Sequence, residues 1–281
     1  MADDGSGGDI TIPSFLMFRT DAEKVIAEVK QNRPVQIEMA WSLPKPDDRV
    51  EYDLWTTPSD SFSKHFLNSF RPIAEGLGNR AYFTPHMYIY DGVRSHCTGG
   101  GGETESLCYN LCTNNGRYCA TDPDNDLETG VSGADVVRES LRRLCIWNRY
   151  GAKDGIGKTW WSYVREFQMR CDKADYFADP SCIKDAYKSA KVDGKAIEKC
   201  MEDSGGTTGD KSNSKLEDEL RAQEQRGVVV IPTAFVNSAA IRGALNVNNI
   251  FAAICSGFAD GSSPRACTSC AGCQDPITCI K

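Results

Sequence analysis

Thirteen cysteines stand in this chain, and none of them precedes Cys97. They are Cys97, Cys108, Cys112, Cys119, Cys145, Cys171, Cys182, Cys200, Cys255, Cys267, Cys270, Cys273 and Cys279. A reducing compartment rarely hosts such density unless metal is bound, whereas an oxidising one turns it into a disulfide framework. Zinc knuckles need separate CxxC pairs, or a CxxC followed by paired histidines. Only Cys267/Cys270 and Cys270/Cys273 have that spacing, and they share a residue. The histidines, His65, His86 and His96, fit no ligand pattern. Disulfides therefore rank ahead of metal, and no metal site is expected.

Composition narrows the partners. The 281 residues are 40% hydrophobic and 25% charged, ordinary for a globular protein. The net charge is −7 and Lys and Arg form no run, which speaks against nucleic acid and against an anionic membrane surface. No window reaches the roughly 18 apolar residues of a membrane helix. Residues 1–8 are polar and acidic and lack the apolar stretch of a signal peptide. An oxidised chain without a leader reads as a portion of a longer protein. The odd cysteine count places the start of a small cysteine module near Cys270.

Periodicity gives the element order. Residues 9–18 read as a strand interrupted by proline, and a capping box at Thr20–Glu23 opens a helix to Gln31. Strands are expected at 34–41, 49–55 and 87–90. A helix from Ser59 or Asp60 to about Glu75 carries Phe62, Phe66, Phe70 and Ile73 on one face. A cysteine-bearing stretch from Cys97 to Met201 holds helices near 134–149, 159–170, 180–190 and 195–201. Residues 202–226 form a charged connection with one polar helix. A buried strand pair broken by Pro232 follows at 227–237, then a hairpin to Gly243 and a helix from Asn246 to Cys255.

VVVIPTAFVN…IRG resembles the proline segment of thioredoxin-like proteins, where a cis-proline sits beside the active site. A proline within a strand otherwise marks an edge or a special turn. The expected fold class is therefore α/β: a thioredoxin-like core with a large disulfide-bonded helical insertion, as in oxidoreductases of the DsbA type. Ile231–Pro232 is expected to be cis and to lie beside the Trp55–Ser59 turn. In that fold a redox CxxC opens the helix after the first central strand, where the helix N-terminus lowers the thiol pKa. Here the position reads WTTPSDSF (55–62), with no cysteine. Thiol–disulfide exchange needs a thiolate, so no catalysis is expected there.

PDDRVEYDLWT (46–56), NGRYCATDPDND (115–126), GADVV…LRRLC (133–145), TWWSYVREFQMRC (159–171), VVVIPTAFVN (228–237) and IRGAL…AICSGF (241–258) go further. They resemble the lumenal region of plant-type vacuolar sorting receptors. The resemblance implies residues 1–33 as the tail of a protease-associated domain and 34–95 as the first part of a thioredoxin-like domain. It implies 96–226 as the cysteine-rich insertion and connection, 227–268 as the second part, and 269–281 as the start of an EGF-like repeat. It also implies a redox-inactive cargo-binding region in the lumen of the Golgi or prevacuolar compartment, or at the cell surface. Soluble cargo would be held through short sorting peptides, and the membrane reached only through a transmembrane helix that this chain does not contain. A structural or adhesive extracellular protein built from the same modules is the alternative. No cofactor is implied, with calcium reserved to adjoining EGF-like repeats. Family members usually carry a cysteine pair shortly after the LWT strand; Phe62 and Phe66 stand there, which reads as an aromatic pair replacing a local disulfide.

The even count, the secretory family and the shortage of apolar runs in the insertion lead us to expect five bridges among ten cysteines. These are Cys97, Cys108, Cys112, Cys119, Cys145, Cys171, Cys182, Cys200, Cys255 and Cys267. Short-range closure nominates Cys255 with Cys267, and the other pairings stay open. The candidate peptide site comprises Trp55, Thr56 and Thr57 on one lip and Val230, Ile231, Pro232 and Thr233 on the other. Asp122, Asp124, Asp126 and Glu128 fail the EF-hand pattern, which wants Gly where Leu127 stands; they read as a solvated acidic turn. Trp160 and Trp161 could line a groove, while Tyr163 and Phe167 read as core. Arg142 and Arg143 read as a solvated helix face.

Overall fold

The computed structural model describes residues 19–35, 43–98, 108–241, 245–270 and 276–280. The strand expected at 9–18, most of the one at 34–41, the 99–102 glycine loop and Cys273 lie outside these residues. A helix, α1 (Arg19–Lys30), buries none of its side chains. The central sheet has the order β2-β1-β6-β7, from β1 (Val50–Thr56), β2 (Ala81–Met87), β6 (Thr233–Val236) and β7 (Ala239–Ile241). β1 runs parallel to β2 and antiparallel to β6, and β6 and β7 form the hairpin. Strands from before and after the insertion thus build one sheet.

The sequence expectation for the third strand was displaced. AYFTPHM, not 87–90, is β2, and it alternates buried and half-buried residues throughout. Its Pro85 is tolerated because, among the described residues, β2 is an edge strand of this sheet. Only Tyr90–Asp91 of the next segment is strand, β3, which joins β4 (Cys112–Thr113) and β5 (Tyr118–Cys119) in a second small sheet. Likewise the expected strand pair at 227–237 contracts to β6, with Val228–Pro232 irregular.

α2 (Ser61–Leu77) starts at Asp60, whose Oδ2 accepts the Ser63 N–H at 2.6 Å. Such a cap is worth about 1 kcal/mol. Its Phe66, Phe70 and Ile73 enter the main core with Tyr52, Leu54 and Phe83 of the sheet. The insertion supplies α3 (Gly133–Tyr150), α4 (Lys158–Arg170), α5 (Pro180–Ser189) and α6 (Gly194–Asp203). It joins the same core through Phe83, whose ring stacks 4.8 Å from Trp161 and meets Trp147 and Trp160 edge-on. Trp160 and Trp161 are therefore core, fully buried, and line no groove.

Arg142 and Arg143 correct the sequence reading most sharply. Both are buried, Arg143 completely, and both donate to Glu139 one turn earlier, at 2.7 and 2.9 Å. Tyr163 adds a third bond to the same carboxylate. A guanidinium cannot shed its charge, so a shared buried carboxylate is what makes this placement tolerable.

Bridges tie the insertion together. Cys145–Cys200 links α3 to α6, and Cys171–Cys182 links the end of α4 to α5. Cys97–Cys108 and Cys112–Cys119 sit around the small sheet. Beyond it come α7 (Ser214–Arg226), α8 (Val247–Ser256), α9 (Arg265–Cys270) and α10 (Pro276–Cys279). Cys255–Cys267, the one pair nominated in advance, joins α8 to α9, and Cys270–Cys279 closes the last turn of chain. This end packs on α2: a Cβ at Gly76 would come 2.1 Å from Ile280 Cγ2.

Candidate peptide-binding site

The C-terminal end of β1 gathers three segments. β1 pairs with β6 so that Trp55 faces Thr233, which sets Pro232 beside Thr56. The Ile231–Pro232 bond is cis. From the same end the 57–60 loop turns into α2, with the Thr57 N–H directed at Ser63 Oγ, 3.5 Å away. Thr56 itself is spent on the scaffold, its carbonyl accepting from the Tyr88 N–H at 2.8 Å.

The two expected lips fare differently. Trp55, Thr56 and Thr57 are all buried. The Trp55 side chain points to the far face of the sheet, into a small cluster with Val228 and Phe235, and stacks on His86 at 4.2 Å. Alternation along β1 dictates this: Tyr52 and Leu54 face α2, so Trp55 faces away. The first lip is therefore not formed by the side chains of Trp55, Thr56 and Thr57. The second lip is open. Val229 and Val230 are 64% and 39% exposed, and Ile231, Pro232 and Thr233 are half-buried. Thr233 Oγ1 donates to the Val230 carbonyl at 2.6 Å, bracing the turn. The backbone N–H groups of Val229, Val230 and Ile231 make no hydrogen bond among the described residues.

Two exposed apolar residues were missed by sequence reasoning. Phe62, in the first turn of α2, is 74% exposed. It does not pair with Phe66, which is buried and stacks instead on Phe70 at 5.2 Å. The expected aromatic replacement of a disulfide is thus absent: Phe66 is buried in the core and Phe62 is exposed. Val229 was the other omission; in VVVIP its exposure has no periodic signal.

Behind this edge, α7 covers the far face of the sheet. It is polar, burying only Leu216 and Glu219. Glu219 Oε2 accepts the Met87 N–H at 2.6 Å, and its Oε1 lies 3.1 Å from His86 Nδ1. His86 is thus a strand residue, on β2, with a carboxylate beside it. Arg226 closes the other end, 2.8 Å from Asp53 and over the Phe235 ring. Burial pushes the Asp53 carboxyl up from its ordinary range, and His86 and Arg226 pull partly against that shift. Gly227, left-handed at φ 63°, ends α7 and releases the chain into Val228–Ile231. The open lip is therefore strung between a charged latch and a fixed proline turn.

The acidic turn is braced by its own carboxylates. Asp122 Oδ1 accepts the Asp124 and Asn125 N–H groups, and Asp124 accepts those of Asp126 and Val131.

The arrangement is that of a thioredoxin-like domain, and the α2 N-terminus where its redox pair would stand carries no cysteine. The sequence profile of the vacuolar sorting receptor thioredoxin-like domain matches residues 50–255, and the chain belongs to that family. Vacuolar-sorting receptor 1 of Pisum sativum is 35% identical over 275 residues, covering 93% of this chain and 42% of the relative. Vacuolar-sorting receptor 4 of Arabidopsis thaliana is 34% identical with the same coverage. The chain thus spans less than half the length of these curated relatives. Among solved structures, Chlamydia trachomatis DsbA aligns at TM-score 0.42 and 12% identity, over 77% of this chain and 93% of that one. Among the described residues no helix is long and apolar enough to cross a membrane.

Proposed function

We propose that this chain is a lumenal cargo-binding region of a vacuolar protein-sorting receptor. In this reading it holds an extended segment of a soluble cargo protein along Val229–Ile231 and does no chemistry on it. The observation that carries the reading is the run of exposed apolar side chains at Val229 and Val230 beside the cis-proline, with three backbone donors that make no hydrogen bond among the described residues, and a further exposed ring at Phe62. Strand addition uses such an edge: main-chain hydrogen bonds give affinity and tolerate many side chains. The site is redox-inactive, since no thiolate is available at the α2 N-terminus to attack a disulfide. It uses no cofactor; calcium belongs only to adjoining EGF-like repeats. The full-length protein is placed in the Golgi and prevacuolar lumen, anchored by a single transmembrane helix.

Short sorting peptides of soluble vacuolar proteins, titrated against the chain, should bind in the millimolar to micromolar range, about 4–8 kcal/mol. A Phe62→Ser/Val229→Ser double variant changes only exposed positions, so its stability should stay within about 0.5 kcal/mol per site while affinity falls by about tenfold or more. Unchanged affinity would move the site elsewhere. No binding of any such peptide, by this chain or by an ectodomain containing it, would favour the adhesive alternative.

A further inference from the structure

Three disulfide sulfurs crowd together where β3 meets the β4–β5 hairpin. The Sγ atoms of Cys97, Cys108 and Cys112 all lie within 4.8 Å of one another, although Cys97 is bonded to Cys108 and Cys112 to Cys119. Cys119 adjoins this group through its bond to Cys112, which it faces directly in the hairpin. Two glycines let the backbones close in. A Cβ at Gly116 would come 2.1 Å from the Cys97 carbonyl oxygen, and one at Gly92 would come 2.6 Å from Cys119 Sγ. Cys97 in turn donates its N–H to the Gly92 carbonyl at 2.7 Å.

Accessibility singles out one bond of this group. Cys97 and Cys108 are both half-buried. Every other described bridge contains a fully buried member: Cys119, Cys145, Cys171, Cys267 or Cys270. Attack on a disulfide needs a thiolate to reach a sulfur, and a neighbouring sulfur within the same fold then competes at high effective concentration.

We propose that Cys97, Cys108, Cys112 and Cys119 form a thiol-exchange site that takes a small monothiol of the glutathione class. The monothiol, as thiolate, bonds to Cys97 Sγ and breaks the Cys97–Cys108 bond, leaving a mixed disulfide and a Cys108 thiolate. Cys108 bonds to Cys112 Sγ and breaks Cys112–Cys119, releasing the Cys119 thiolate. Cys119 bonds to Cys97 Sγ and expels the monothiol. Each step forms one S–S bond and breaks one, the monothiol is returned, and nothing is oxidised or reduced overall. The product carries Cys108–Cys112 and Cys97–Cys119, and the bond across the β4–β5 hairpin is gone. That hairpin positions Tyr118, whose hydroxyl donates to Glu217 of α7 at 2.6 Å and accepts the Asn213 N–H at 2.8 Å. The site is distinct from the α2 N-terminus and does not depend on the peptide-binding reading.

The test treats the full chain with substoichiometric reduced glutathione near neutral pH, quenches with acid, alkylates, and maps disulfides by mass spectrometry. Cys108–Cys112 and Cys97–Cys119 should accumulate together, while Cys145–Cys200, Cys171–Cys182 and Cys255–Cys267 persist. A Cys112→Ala/Cys119→Ala variant has no relay, so a glutathione adduct at Cys97 or Cys108 should persist at several-fold higher occupancy than in the parent. The proposal is overturned if exchange starts at one of the other four bridges, if none occurs, or if the parent holds the same adduct with Cys112–Cys119 intact. Should the variant not fold, the parent's disulfide map decides alone.

Discussion

On one face of the central sheet, Tyr52, Leu54 and Phe83 meet Phe66 and Phe70 of α2 and the tryptophans of the insertion. On the other, Asp53, Trp55 and His86 meet α7, whose only buried side chains are Leu216 and Glu219. The first face is held by area removed from water, at about 25 cal/mol per Å². The second is held by a small apolar cluster of Trp55, Val228 and Phe235 and by a few charged contacts, each worth less once desolvation is counted. The difference bears on function, because the open lip at Val229–Ile231 hangs from the polar side. A binding edge that must accept a strand belongs to the less stable part of a fold.

The largest expected effect lies on the apolar face. Phe70 is fully buried, stacked on Phe66 and edge-on to Tyr52. Phe70→Ala should cost about 3–5 kcal/mol, read as a lowered midpoint in chemical denaturation. A cost below about 1 kcal/mol would mean that α2 is not packed as described.

Glu219→Ala tests the polar face and should cost less, about 1–3 kcal/mol, because it strands the buried Met87 N–H and removes the partner of His86. The effect should be local. The Met87 amide should exchange with deuterium markedly faster, while the Phe83 amide, bonded to the Gly155 carbonyl, keeps its protection. Equal loss at both amides would show α7 to be integral to the global fold and would erase the contrast between the faces.

The same contrast explains what could be read from sequence. The cis-proline, the order of helices and the Cys255–Cys267 bridge were legible because Pro232 sits in an apolar run and the helices carry clean 3.6-residue patterns. β2 was not: AYFTPHM has a proline within it, which reads as a strand breaker, and β2 is an edge among the described residues. Arg142 and Arg143 look solvated by type, yet Glu139 stands three and four residues before them, the spacing of helix-face pairs; that signal was present and outweighed by charge. Phe62 belongs to the apolar face of α2 by period yet is exposed, a tertiary fact. The Glu219 latch joins residues 133 apart in sequence, and nothing local announces it.

The smallest expected effect is electrostatic and sits at Asp53. Burial is the leading cause that raises its carboxyl, and Arg226 and His86 only partly offset it. The folded state therefore binds this proton more tightly than the unfolded chain, whose value is about 3.9. Stability from such a group is fully present below the unfolded value and is lost as pH rises through the folded one. Asp53→Asn keeps a neutral side chain of similar shape at every pH and has no such step. Denaturation of both proteins from about pH 4 to about pH 6 should show the parent losing stability relative to the variant as pH rises, then a level difference. The other carboxylates are common to both proteins and largely cancel. The opposite slope, with the parent gaining as pH rises, would mean that the Arg226 pair outweighs burial, and that α7 is held by favourable ion pairing rather than by a latch whose charges resist burial.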